Sequence, residues 1–185
     1  MAHIEILAVL LAASILTACG QAEPAEADPA VFENTAWKQS PEETEKALGQ
    51  DFSKELPPRE EVPEGELLNC LYNSPITLPV SGAEAENASF LYWNLDGSFQ
   101  LSEVRLLFGS PEETEEYRAY LDGLYGEAEE AEISLLDESG QYSAIWQWAD
   151  GEIKVSYLPP ETPFYSAEFP NGMFRFQCGD FPWTE

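Results

Sequence analysis

Apolar and polar positions alternate at strand spacing through much of the chain, and the alternation breaks at two copies of one hexapeptide. Residues 40–45 and 110–115 both read SPEETE. Each copy is a helix start. The Ser accepts a backbone N–H at the N-cap, and the Pro takes the first helical position, where no N–H is needed. The Glu three residues after the Ser closes a capping box. The added carboxylates suit the positive end of the helix dipole. This predicts a helix over Pro41–Leu48 stopped by Gly49, and another over Pro111–Tyr125 stopped by Gly126. Tyr117, Tyr120, Leu121 and Leu124 share one face of the second.

Three Gly-containing turns organise the strands. Asn171-Gly172, as a two-residue turn, pairs Phe169 with Phe174, Ala167 with Phe176 and Tyr165 with Cys178, and sets Glu168 against Arg175 on the other face. Asp150-Gly151 pairs Trp148 with Ile153, Trp146 with Val155 and Ala144 with Tyr157. Asp96-Gly97 reads as a three-residue loop with a bulge, Trp93 facing Phe99 and Leu91 facing Leu101. The apolar phase slips after Ser102, to Val104, Leu106 and Phe108, so a second irregularity is required there. Further strands are expected over 67–72, 76–80 and 131–136, and residues 54–66 (KELPPREEVPEGE) read as a Pro- and Glu-rich loop. The sum is an α+β domain: a meandering antiparallel sheet with two helices packed on one face. The repeated hexapeptide leaves two accounts open. One is shared capping chemistry; the other is a tandem helix-plus-strands repeat, with copies over 40–109 and 110–185.

Residues 6–16 (ILAVLLAASIL) form an apolar run too short to span a bilayer but of the right length for a secretory signal. It ends in Leu16-Thr17-Ala18-Cys19, which resembles the lipobox of bacterial lipoproteins. The resemblance implies a signal peptide over 1–18 and a lipid-acylated Cys19 that anchors the chain in a bilayer. It implies an extracytoplasmic place at the bacterial cell membrane, with the type of envelope left open. Residues 19–31 then form the acylated cysteine and a flexible acidic linker, and 32–185 the folded domain.

Charge narrows the partners. Eight Lys and Arg stand against 35 Asp and Glu, for a net charge of −27. Nucleic acid and anionic lipid surfaces are repelled by such a chain, and a basic protein or peptide is steered to it. Oligomeric state is not legible. Hydrophobic residues at 44% supply a core, so the whole chain is not disordered. The single histidine, His3, lies in the signal, so Ser–His and Cys–His nucleophiles and histidine-ligated zinc are excluded in their common forms. No phosphate or dinucleotide fingerprint occurs. No catalytic residue, cofactor or metal ligand is therefore expected. The turns at 94–97 and 137–140 offer oxygen ligands but miss the EF-hand spacing and read as ordinary turns.

The many carboxylates, Glu42-Glu43 and those within 127–130 among them, leave a second class open: a carboxylate-based cell-wall glycoside hydrolase or carbohydrate-binding protein. Trp146 and Trp148 share a strand face, as core or as a stacking surface for a sugar or peptide. Cys70 and Cys178 are a candidate disulfide in an exported chain, or two buried thiols. Phe181 and Trp183 form a terminal aromatic segment that either folds back on the core or stays exposed for a partner.

Trp37, then SPEET at 40–44, then Ala47-Leu48-Gly49 resembles the opening of small bacterial lipoprotein domains. Leu124-Tyr125-Gly126 followed by a Trp-bearing strand continues the likeness. The layout is similar to that of BamE/SmpA lipoproteins and the β-lactamase inhibitor protein. It implies a protein-binding or assembly role without catalysis, and carries over no functional residue.

Overall fold

The structure, a computed structural model, describes residues 32–72, 75–134, 142–150, 153–159, 170–178 and 181. The expected signal and linker, Cys19 and Trp183 lie outside them, as do residues 137–140, where a turn is expected. The architecture is α+β. The elements run α1 (Pro41–Leu48), β1 (Lys54–Leu56), β2 (Leu67–Tyr72), β3 (Ile76–Thr77), β4 (Glu84–Ala85), β5 (Asn87–Leu95), β6 (Ser98–Leu107) and α2 (Pro111–Tyr125). There follow β7 (Glu129–Ser134), β8 (Tyr142–Asp150), β9 (Ile153–Leu158) and β10 (Met173–Cys178). One eight-stranded sheet has the order β1-β2-β5-β6-β10-β9-β8-β7, antiparallel throughout, and β3 and β4 form a small ribbon. Each half of the sheet is a helix followed by four strands, and the halves meet at β6 and β10.

Local chemistry sets both helices. Around α1 the Ser40 hydroxyl accepts the Glu43 N–H and the Glu43 carboxylate accepts the Ser40 N–H, a complete capping box. Gly49 ends it at φ 71°, a left-handed conformation that costs glycine little. At α2 the Ser110 hydroxyl accepts the Glu113 N–H at 3.2 Å, the serine half of the box. Caps of this kind contribute about 1 kcal/mol each.

Aromatic rings fill the inner face. Cys70, Phe90, Val104, Phe176 and Val155 lie in register across β2, β5, β6, β10 and β9. The next row is Tyr72, Ala88, Leu106, Phe174 and Tyr157. All ten are buried, and residues from both helices join the same core. Phe32 packs on Phe90 and Phe176 with centroids 5.9 and 4.9 Å away, Phe52 on Tyr72 at 4.7 Å, and Tyr117 of α2 on Phe174 at 5.1 Å. Tilted and edge-on pairs of this kind add about 0.5–1.5 kcal/mol each beyond area burial.

Several expectations need correction. The 96–97 turn has two residues, not three: Leu95 pairs with Ser98, and Asp96 and Gly97 take φ 52° and 73°. The irregularity expected after Ser102 is present. Tyr92 pairs with Leu101 but Leu91 with Glu103, so Ser102 is the extra residue, and its hydroxyl donates to the Leu91 carbonyl at 3.0 Å. The strand expected over 76–80 ends at Thr77, where Pro79 enters a turn. Part of the 54–66 loop is ordered structure: β1 pairs with β2, and a 3-10 turn spans Arg59–Glu61. Between β8 and β9 the pairing is displaced by two residues from that expected, with Trp148 opposite Val155 and Trp146 opposite Tyr157.

The hairpin expected at Asn171-Gly172 is overturned. Both edges of β10 are taken, by β6 and β9, with Phe174 opposite Leu106 and Tyr157. Gly172 does take a left-handed φ of 83°. What overrode the local pairing is the vacancy-free seam between the two halves, which β10 completes. The partner stretch 165–169 lies outside the described residues.

Candidate functional site

The ribbon of β3 and β4 leans over the start of α2, and a cavity of about 350 Å³ lies between them. Its floor is Phe108, Tyr117 and Tyr120, and its rim carries Glu84, Glu113 and Glu116. Helix spacing explains half of this. Glu113, Glu116, Tyr117 and Tyr120 stand three or four apart and project from one side of α2. Asn171 helps to fix the base, because its side-chain amide donates to the Phe108 carbonyl at 2.9 Å. Tyr117 stacks on Tyr120 with centroids 5.5 Å apart, and Phe108 lies 4.9 Å from Tyr117.

A fourth carboxylate stands close by. Glu33 accepts the Val80 and Ser81 N–H groups at 2.7 and 3.1 Å and the Ser81 hydroxyl at 2.8 Å, which pins the 79–82 turn. Burial first, and the Glu33 charge second, push the Tyr117 phenol well above its ordinary range and the Tyr120 phenol up to about 12. Both rings therefore remain neutral around pH 7. Among the described residues, none of Glu33, Glu84, Glu113 and Glu116 has a salt-bridge partner. Unneutralised carboxylates above aromatic faces attract cations both by charge and by the ring quadrupole.

A second cavity, about 380 Å³, is lined by Glu45, Phe52, Lys54, Glu55 and Arg59 among others. Its lining sets Lys54 and Arg59 against Glu45, Glu55 and Glu60, so most of its charge is matched. Arg59 bonds both Glu42 and Glu55, and the guanidinium holds the Glu42 carboxyl below its ordinary value. The larger negative surplus thus belongs to the first cavity, whose lining holds three glutamates and no Lys or Arg.

Cys70 and Cys178 do not bridge. They sit on β2 and β10 with β5 and β6 between, about 14 Å at roughly 4.8 Å per strand, against the ~7 Å limit between Cα atoms. Both are buried, and burial pushes the Cys70 thiol up to about 12. Phe181 is folded in, 6% exposed. The side chains of Trp146 and Trp148 lie outside the described part. Asn94, in the acidic turn at 94–97, donates its amide to the Val62 carbonyl, and the Asp96 N–H donates to Glu64. Among the described residues no group of three or more His, Cys, Asp or Glu converges as a metal site.

The cavity was missed in the sequence. The SPEETE copy at 110–115 marked Glu113 as a capping residue, and the helix face marked Tyr117 and Tyr120 as core. Nothing local brings the 81–84 stretch beside them. No protein-family model, curated protein or solved structure matches the chain.

Proposed function

We propose that the chain is a bacterial extracytoplasmic lipoprotein, tethered through an acylated Cys19, whose domain binds a basic protein or peptide. The observation that supports the docking half is the first cavity: three rim glutamates, with no ion-pair partner among the described residues, over Phe108, Tyr117 and Tyr120. A lysine or arginine side chain meets opposite charge at the rim and ring faces below. Long-range attraction from a net charge of −27 would speed the encounter and weaken with salt. No helix among the described residues is long and apolar enough to cross a membrane, so the anchoring half rests on the Leu16-Thr17-Ala18-Cys19 sequence.

Two measurements test the two halves separately. Radiolabelled palmitate enters wild type and not Cys19→Ala if the anchor is real; equal labelling rejects it. A lysine-rich peptide binds the full chain at low salt, and a Glu84/Glu113/Glu116→Gln variant loses tenfold or more of that affinity. Unchanged affinity in the variant removes the cavity from the reading. Carboxylates beside aromatic walls also outline a sugar-binding or hydrolytic cleft, which gives a second reading. Release of reducing ends from cell-wall glycan, lost in the same variant, would favour it.

A further inference from the structure

We propose that the outer face of the sheet carries an oxyanion site, formed by Arg105 and Arg175, for a phosphate or carboxylate group of a ligand. The site stands on a different face from the acidic cavity and does not depend on it. Register places Arg105 of β6 directly opposite Arg175 of β10. Their Cα atoms are about 5 Å apart in such a pair, and like charges so placed repel.

One carboxylate serves both. Glu103 is fully buried; its Oε1 accepts Arg105 Nε at 2.5 Å, and its Oε2 accepts Arg175 Nη2 at 2.8 Å and Gln177 Nε2 at 3.2 Å. The cluster keeps a surplus positive charge. Strand parity shows how unusual that is in a chain of net charge −27. Among the described residues, the outward positions of β1, β2, β5, β6, β9 and β10 carry Lys54, Arg105, Lys154 and Arg175, half of all Lys and Arg. They carry one carboxylate, Glu103.

Unused donors complete the case. Arg175 Nε is buried without an acceptor, a state that costs free energy unless an anion or water relieves it. Both arginine side chains are 34% exposed, so the pair is not sealed from solvent. Among the described residues Glu103 is the sole hydrogen-bonding partner of either guanidinium. A planar fork presents paired N–H donors that match two oxygens of a phosphate or carboxylate. Glu103 holds both forks in place beforehand, so little side-chain freedom remains to be lost on binding.

The test uses the full chain with ¹³C,¹⁵N-labelled arginine, titrated with sodium phosphate, sodium acetate or sodium chloride at constant ionic strength. The Arg175 Nε–Hε resonance is expected to move to saturation with phosphate, with acetate, or with both, and not with chloride. Which of the two oxyanions saturates names the group the site prefers. Arg105→Lys keeps the charge and loses the fork, and weakens saturation at least tenfold; Glu84→Gln, on the other face, leaves it unchanged. Equal, non-saturating movement in all three salts overturns the proposal, as does unaltered binding in a folded Arg105→Lys chain. Loss of peptide binding at the acidic cavity would leave this result untouched.

Discussion

One face of the sheet is held together by rings and the other is centred on a carboxylate, although the same strands supply both. On the inner face Tyr72 packs on Phe90, and Phe174 and Phe176 pack on Tyr117 of α2, so the attraction is shared over many non-directional contacts. On the outer face Glu103 concentrates the energetics in three directional bonds to Arg105, Arg175 and Gln177. The bulge at Ser102 separates the two. It lets Leu101 and Val104 both face inward while Glu103 turns outward. In a regular strand with no bulge, Glu103 would take the parity of Leu101 and enter the aromatic layer, where an ion has no partner. The lesson is that burial alone does not define a core. A ring layer tolerates change in proportion to volume, whereas an ionic centre responds to whether each charge keeps its partner.

The largest expected effect breaks the outer face. Glu103→Ala leaves two guanidiniums without their shared carboxylate and is expected to cost about 3–5 kcal/mol, read from the urea midpoint at pH 7. The near-isosteric Glu103→Gln also loses stability, because the charge-assisted bonds go. Leu106→Met on the inner face keeps volume and costs under about 1.5 kcal/mol. Replacing Glu103, Arg105 and Arg175 together with Met, Leu and Leu recovers most of the Glu103→Ala loss. If the triple variant is as unstable as the single one, the outer face is held by something other than its ion pairs.

A smaller effect probes the seam where the two faces share a strand. Gly172 leads into β10 at φ 83°, and an added Cβ would lie 2.7 Å from the Leu158 carbonyl oxygen and 2.7 Å from Tyr157 Cε2. Gly172→Ala is expected to cost about 1–3 kcal/mol, from the left-handed backbone and the close approach together. Thermal denaturation checks it, and Gly123→Ala, with nothing within 4 Å of its added Cβ, serves as the control.

The mildest perturbation is alkaline pH, which acts on the inner face. Burial pushes Cys70 up to about 12 and raises Tyr72, Tyr92 and Tyr117 above the ordinary tyrosine value. These groups lose their protons first in the unfolded chain. Their contribution is intact below about pH 9 and declines as pH rises toward the folded values. The melting temperature should therefore fall above about pH 9. A melting temperature that stays level to pH 11 would show that the folded chain holds these protons no more tightly than the unfolded one.

Local chemistry was legible because it is written in neighbouring residues. Ser40 and Ser110 with their Pro and Glu neighbours, Gly49 and Gly126 place both helices residue for residue. The phase slip after Ser102 announced the bulge. The larger misreadings are cases where a distant partner decided the outcome. The residues 54–56 show no periodicity of their own and become a strand because β2 offers an edge. Asn171-Gly172 makes its turn, yet β10 pairs with β6, whose paired residues lie about seventy positions earlier in the chain.

By itself, then, the sequence determined the helices, their caps, the antiparallel α+β class and the acid excess, since each follows from side chains a few positions apart or from composition. Tertiary structure alone decided that β10 closes the seam between the halves, that Cys70 and Cys178 stand too far apart to join, and that Glu103 meets Arg175. It also brought Glu84 to the rim beside Tyr117. Those outcomes depend on which strand edges and ring faces are left unsatisfied after the local elements form, and that competition has no signature within any short window of the chain.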